Sequence, residues 1–137
     1  MDIQTALSAF LPVSLEEMSV KGLDWKENVV ISSMCTVFAE SEVVSLVAQN
    51  KEVSDIIHGL NVSVASKVGA LAARLGKNNP GEYMMTGGVA KNQGIIQALE
   101  EKLGAKLYIC DEAQLCGALG AAIFAYEKCK DINVQKI

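Results

Sequence analysis

The chain has 137 residues, half of them apolar and only 5% aromatic, with twelve Lys and Arg against sixteen Asp and Glu for a net charge of -4. Such a length is one domain with a real core, and a composition led by Ala, Val, Leu and Gly suits helices packed on a sheet better than a β-sandwich. Basic residues scattered singly among acids argue against a nucleic-acid partner, because phosphate binding needs a clustered positive field.

Residues 3 to 11 read as the tail of a helix interrupted before Pro12, and Ser14-Leu15-Glu16-Glu17 is a capping-box pattern that opens a second, short helix. The β-branched run Val29-Val30-Ile31 predicts a strand leading into Ser32-Ser33-Met34-Cys35-Thr36. A helix over roughly 40 to 50 follows, with Val43, Val44, Leu46 and Val47 as its buried stripe. The strongest periodicity spans 52 to 75, where Val53, Ile56, Ile57, Leu60, Val64, Val68, Leu71, Ala72 and Leu75 recur at three- and four-residue steps, and Gly76 stops it. After the Asn78-Asn79-Pro80-Gly81 turn come a strand at 82 to 86, a helix near 92 to 103 ended by Gly104, a strand at 106 to 110 and a helix near 112 to 129. Strands separated by helices of this length imply parallel pairing.

Between the second strand and its helix lies Thr86-Gly87-Gly88-Val89-Ala90-Lys91-Asn92, the most informative stretch of the chain. Adjacent glycines let a backbone approach another molecule where any Cβ would collide, and the helix beyond them offers free N–H groups, which is how a nucleotide-binding turn is built. The same junction is also an ordinary tight turn. Asn92 suits a helix cap as well as a nucleotide contact.

The longest uncharged run, Ala113 to Tyr126, is shorter than the roughly twenty residues that a membrane span needs, and the N-terminus shows no signal segment. A cytoplasmic protein without a membrane partner is the expectation. Cys35, Cys110, Cys116 and Cys129 form no paired metal spacing and are expected to be reduced thiols, the last three as packing residues. His58, the lone histidine, reads as structural, and Glu40 and Glu42 as acids opposing a helix dipole. No phosphate loop or self-contained hydrolytic set is present, so the chain reads as half of a two-lobed protein.

Taken in order, Ser32 to Glu42, Val62-Ser63-Val64-Ala65-Ser66, Met85 to Asn92 and Gly117-Ala118-Leu119-Gly120-Ala121-Ala122 closely resemble the C-terminal part of the BadF/BadG/BcrA/BcrD ATPase family, over about residues 29 to 126. Among that family are activators of 2-hydroxyacyl-CoA dehydratases and ATPase subunits of benzoyl-CoA reductases. The resemblance implies an α/β, ribonuclease-H-like (actin-like ATPase) lobe with a small, mostly parallel sheet, residues 1–137 being its C-terminal lobe with the N-terminal lobe absent. It implies that Gly87, Gly88, Val89, Asn92 and Gln114 belong to the adenosine side of a site for ATP or ADP with Mg²⁺. It further implies that Cys35 is one ligand of a [4Fe-4S] cluster shared across a homodimer, which passes electrons to a dehydratase or reductase partner. On this reading the chain by itself lacks ATP turnover and carries an apolar face toward the missing lobe. The alternative is a kinase-like or regulatory nucleotide-binding member of the same superfamily, with no cluster and with Cys35 in the core.

Overall fold

The computed structural model describes residues 11, 13–32, 35–74 and 83–134. The predicted helix at 3 to 11, the Gly76 stop and the Asn78-Asn79-Pro80-Gly81 turn therefore lie outside the described residues, apart from the buried Leu11.

Helix α1 runs Leu15–Lys21 and is opened by the expected capping box: Ser14 Oγ accepts from the Glu17 amide, while the Glu17 carboxylate accepts from the Ser14 amide. Helix α2 is Thr36–Ala48, four residues longer at its start than its sequence suggested, and α3 is Val53–Arg74. Strand β1 (Tyr83–Met84), the 3-10 turn η1 (Gly88–Lys91), helix α4 (Gln93–Leu103), strand β2 (Leu107–Tyr108), the 3-10 turn η2 (Ala113–Leu115) and helix α5 (Cys116–Val134) complete the described order. β1 and β2 pair in parallel, Tyr83 opposite Leu107 and Met84 opposite Tyr108, with α4 as the crossover. Parallel pairing follows from that intervening helix.

α3 organises the interior. Its first half places Ile56, Ile57 and Leu60 against Met18, Val29, Ile31 and Val43, and its second half sends Ala65 to Ile95, Ala98 and Leu99 of α4. Its length and hydropathy would suffice to cross a membrane, yet it buries Asp55, Asn61 and Ser63 and packs against α1, α2 and α4. The predicted stripe stops short: Val68 and Leu71 are exposed, although Gly69 between them is buried beside Lys102 of α4. Val44 and Val47 are likewise exposed on α2, whose inward face is Ala39 and Val43.

The Val29-Val30-Ile31 segment corrects the strand prediction. Its side chains alternate as a strand's do, with Val29 and Ile31 buried and Val30 84% exposed, but it joins no ladder among the described residues. Burial of alternate side chains is what its β-branched run encodes; a hydrogen-bonded neighbour has to come from elsewhere in space. Glu40 and Glu42 also differ from expectation, since α2 starts at Thr36 and neither lies in its first turn. Glu42 instead accepts from the Ser32 amide at 2.5 Å and ties the extended segment to α2.

Two buried features set how the helices pack. The buried Asp55 carboxylate accepts from the Lys26 amide at 2.7 Å and the Glu27 amide at 3.1 Å, and these bonds, Lys26's first, hold its pKa below the usual range. A carboxyl depressed by folding contributes stability that is complete above its ordinary pKa and drains away as pH falls through the lower, folded value. Asp55→Asn is therefore expected to lower the urea midpoint at neutral pH, with the gap to the parent closing in acid. A gap of constant size across that range would show that the charge is not what the two amides require.

The second feature is a tight crossing. A Cβ built on Gly94 would collide with Asn61 Nδ2 and lie 3.4 Å from the Ser19 carbonyl oxygen, so α4 can lie against α1 and α3 only with glycine there. Asn61 is fully buried, and neither of its amide atoms has a hydrogen-bond partner among the described residues. Gly94→Ala is expected to cost about 3 kcal/mol through overpacking. Denaturant unfolding checks this, and a cost below about 0.5 kcal/mol would show that the helices part freely.

Candidate functional site

The glycine turn is built by its own backbone. Gly87 sits at φ +92°, ψ 179°, a region open essentially to glycine alone, and its amide donates to the Ala113 carbonyl at 2.7 Å, which fastens the turn to η2. Gly88 is different, being an ordinary first residue of η1 whose added Cβ would meet nothing within 4 Å. One glycine is demanded by conformation, the other borders open space.

That space is a groove of about 510 Å³ lined by Gly88, Val89, Asn92 and Gln114, with Leu15, Glu16, Ser19 and Lys91 completing it. Four of the five residues expected on the adenosine side thus face one groove, and the fifth, Gly87, anchors its wall. A larger groove of about 600 Å³ beside α4 is lined by Leu23, Gln93, Gln97, Glu100 and Lys106 and contains none of them. Gln114 is exposed at the rim on η2, brought there by the Gly87–Ala113 bond rather than by proximity in sequence.

The free N–H groups expected at the following helix are partly spoken for. Asn92 is buried and its Oδ1 accepts from the Ile95 amide at 3.0 Å, while Ser19 Oγ accepts from the Gln93 amide at 2.9 Å and donates to the Lys91 carbonyl at 3.2 Å. Asn92 is therefore first a helix cap. With its opening turn bonded to protein, α4 is poorly placed to cradle phosphates, whereas an apolar ring could lie across Gly88 and Val89. Ser19 and its α1 neighbours Leu15 and Glu16 were not legible as site residues. The capping box marks where their helix begins, but only the α1–α4 packing brings it to the turn.

Cys35 lies apart from the groove. It is the residue preceding α2, exposed, with extended backbone and no side-chain capping bond, so it is not the core residue that a lone cysteine after a strand suggests. Val37 and Phe38, which follow it, are 65% and 63% exposed. Among the described residues no group of three or more Cys, His, Asp or Glu is gathered as a metal site. The packing role expected of the other cysteines holds in part: Cys110 and Cys116 are half-buried, and Cys129 is exposed. His58 stacks on Trp25, ring centroids 4.1 Å apart, and burial pushes its pKa down, so it is a neutral packing residue as expected.

A parallel β1–β2 pair, a conformationally forced glycine turn and an adjoining groove form part of an actin-like fold. The chain belongs to the BadF/BadG/BcrA/BcrD ATPase family, whose profile matches residues 4–125. It is 45% identical over 122 residues to the (R)-2-hydroxyglutaryl-CoA dehydratase activating ATPase of Acidaminococcus fermentans, covering 89% of this chain and 46% of that protein. It is 38% identical over 125 residues to the 2-hydroxyisocaproyl-CoA dehydratase activator of Clostridioides difficile, covering 91% and 46%. The solved structure of the activator of the 2-hydroxyisocaproyl-CoA dehydratase from Clostridium difficile with bound ADPNP superposes with a TM-score of 0.83 at 36% identity, over 97% of this chain and 49% of that one. The chain spans about half the length of the curated relatives it matches.

Proposed function

We propose that this chain is the C-terminal lobe of an ATP-driven, electron-donating activator of a 2-hydroxyacyl-CoA dehydratase or benzoyl-CoA reductase-type partner, working in the cytoplasm as a homodimer. The observation that carries the reading is the groove that gathers Gly88, Val89, Asn92 and Gln114 beside a forced glycine turn. Its support is the similarity, at TM-score 0.83, to an activator with bound ADPNP. In this reading Gly88 and Val89 lie against the adenine and ribose, Gln114 closes the rim, and Gly87 holds the wall through Ala113. Mg²⁺ and phosphate chemistry require positioned acids and donors that these residues do not supply.

Cys35 is the proposed [4Fe-4S] ligand of this lobe. Such a cluster takes four thiolates, so one exposed cysteine fits only as a share of a site completed by another segment and a second subunit. When bound, the cluster would supply the transferable electron, and Cys35 would be one of the residues that hold it. The exposed apolar Val30, Val37 and Phe38 flank Cys35 in sequence and suit a surface covered by another subunit. Calorimetric titration of the complete protein with ATP and ADP, with a Gly88→Val variant beside it, tests the nucleotide half of this reading. Equal affinity in both proteins would remove the groove from it. Nucleotide binding without any iron after anaerobic reconstitution would favour a kinase-like or regulatory member of the superfamily.

A further inference from the structure

We propose that Cys110 and Cys116 form a reversible dithiol site that reacts with a small-molecule disulfide of the glutathione type and closes into an intramolecular disulfide, fixing the loop that carries Ala113 and Gln114 against the glycine turn. The two Sγ atoms lie 3.4 Å apart. A disulfide bond is about 2.05 Å long, so closure requires the sulfurs to approach by roughly 1.4 Å. The intervening loop is already wound for this. The Ala113 amide donates to the Cys110 carbonyl at 3.0 Å, the Leu115 amide to the Glu112 carbonyl at 2.8 Å, and the Cys116 thiol faces the Glu112 carbonyl at 3.6 Å. Both cysteines are half-buried, so a small disulfide can reach them.

The hydrogen bond with Cys110, reinforced by burial and by the nearby Glu112 charge, pushes the Cys116 thiol up. Cys110 is taken as the attacking residue and Cys116, whose thiol also faces the Glu112 carbonyl, as the resolving one. The Cys110 thiolate attacks one sulfur of the oxidant and forms a mixed disulfide as one thiolate leaves. Cys116 then gives up its proton, attacks Cys110 Sγ and expels the second thiol. Two cysteine thiols become one disulfide, and one oxidant molecule becomes two reduced thiols. The consequence reaches the groove because the enclosed loop contains Ala113, whose carbonyl accepts from Gly87, and Gln114, which lines the rim. The site stands on this geometry whether or not the nucleotide reading does.

Mass spectrometry tests it on the complete protein. Trypsin releases Leu107 to Lys128 as one peptide containing both cysteines and no internal Lys or Arg. After equilibration with excess oxidised over reduced glutathione and blocking with N-ethylmaleimide, this peptide is expected unlabelled and two hydrogens lighter. Reduction with dithiothreitol should restore two labels. Cys116→Ser should retain a glutathionyl adduct on Cys110, and hydrogen exchange of the Gly87 amide should slow several-fold in the oxidised parent. Two maleimides on the peptide under oxidising conditions, or a disulfide from either residue to Cys35 or Cys129, overturns the site. Unchanged Gly87 exchange in the disulfide form overturns the coupling to the turn.

Discussion

Cys35→Ser is expected to abolish the anaerobic iron-sulfur absorbance of the complete protein and to reduce its reconstituted iron to background, while nucleotide affinity stays within about twofold, a difference of about 0.4 kcal/mol. The side chain is exposed and makes no capping bond, so exchanging sulfur for oxygen should change stability by no more than about 0.5 kcal/mol. Loss of iron would then report lost ligation rather than unfolding. Cys110→Ser, Cys116→Ser and Cys129→Ser serve as controls and are expected to keep the iron, since none of them belongs to the segment that opens α2. Full iron content in the Cys35 variant would remove this residue from the cluster and return the cluster-free reading to first place.

Gly88→Val is expected to weaken adenosine nucleotide binding at least tenfold, about 1.4 kcal/mol, with the thermal midpoint almost unchanged. The separation of the two effects follows from the backbone: a Cβ at Gly88 meets no protein atom within 4 Å, so a side chain there occupies only the groove. Gly87→Ala makes the contrasting case. At φ +92° and ψ 179° any side chain is strained, and about 1–3 kcal/mol of stability should be lost whether or not nucleotide is present. If Gly88→Val instead destabilised the apo protein as much as Gly87→Ala, the groove would be a packing void of the fold and not a binding surface.

Local chemistry made several elements readable. The Ser14 capping box, the Asn92 cap and the left-handed Gly104 that ends α4 depend on contacts a few residues apart, and each is found where the sequence put it. The pairing of β1 with β2 followed from the helix between them. Other features depended on partners distant in sequence. Val44, Val47, Val68 and Leu71 carry helical periodicity yet are exposed, and the Val29–Ile31 segment buries alternate residues without a ladder among the described residues. Periodicity states which face is apolar; it does not state what is available to cover it.

The sequence alone determined the family, through four blocks kept in order, and it determined the glycine turn, because only glycine tolerates the Gly87 conformation. Tertiary structure alone decided that Leu15, Glu16 and Ser19 complete the groove, that Ser19 occupies an amide once expected to be free, and that Cys35 is exposed. The physical reason is the same in each case. A cap, a turn or a forced φ is fixed by energies within one stretch of chain, whereas a groove exists only after α1, α4, η1 and η2 have packed together.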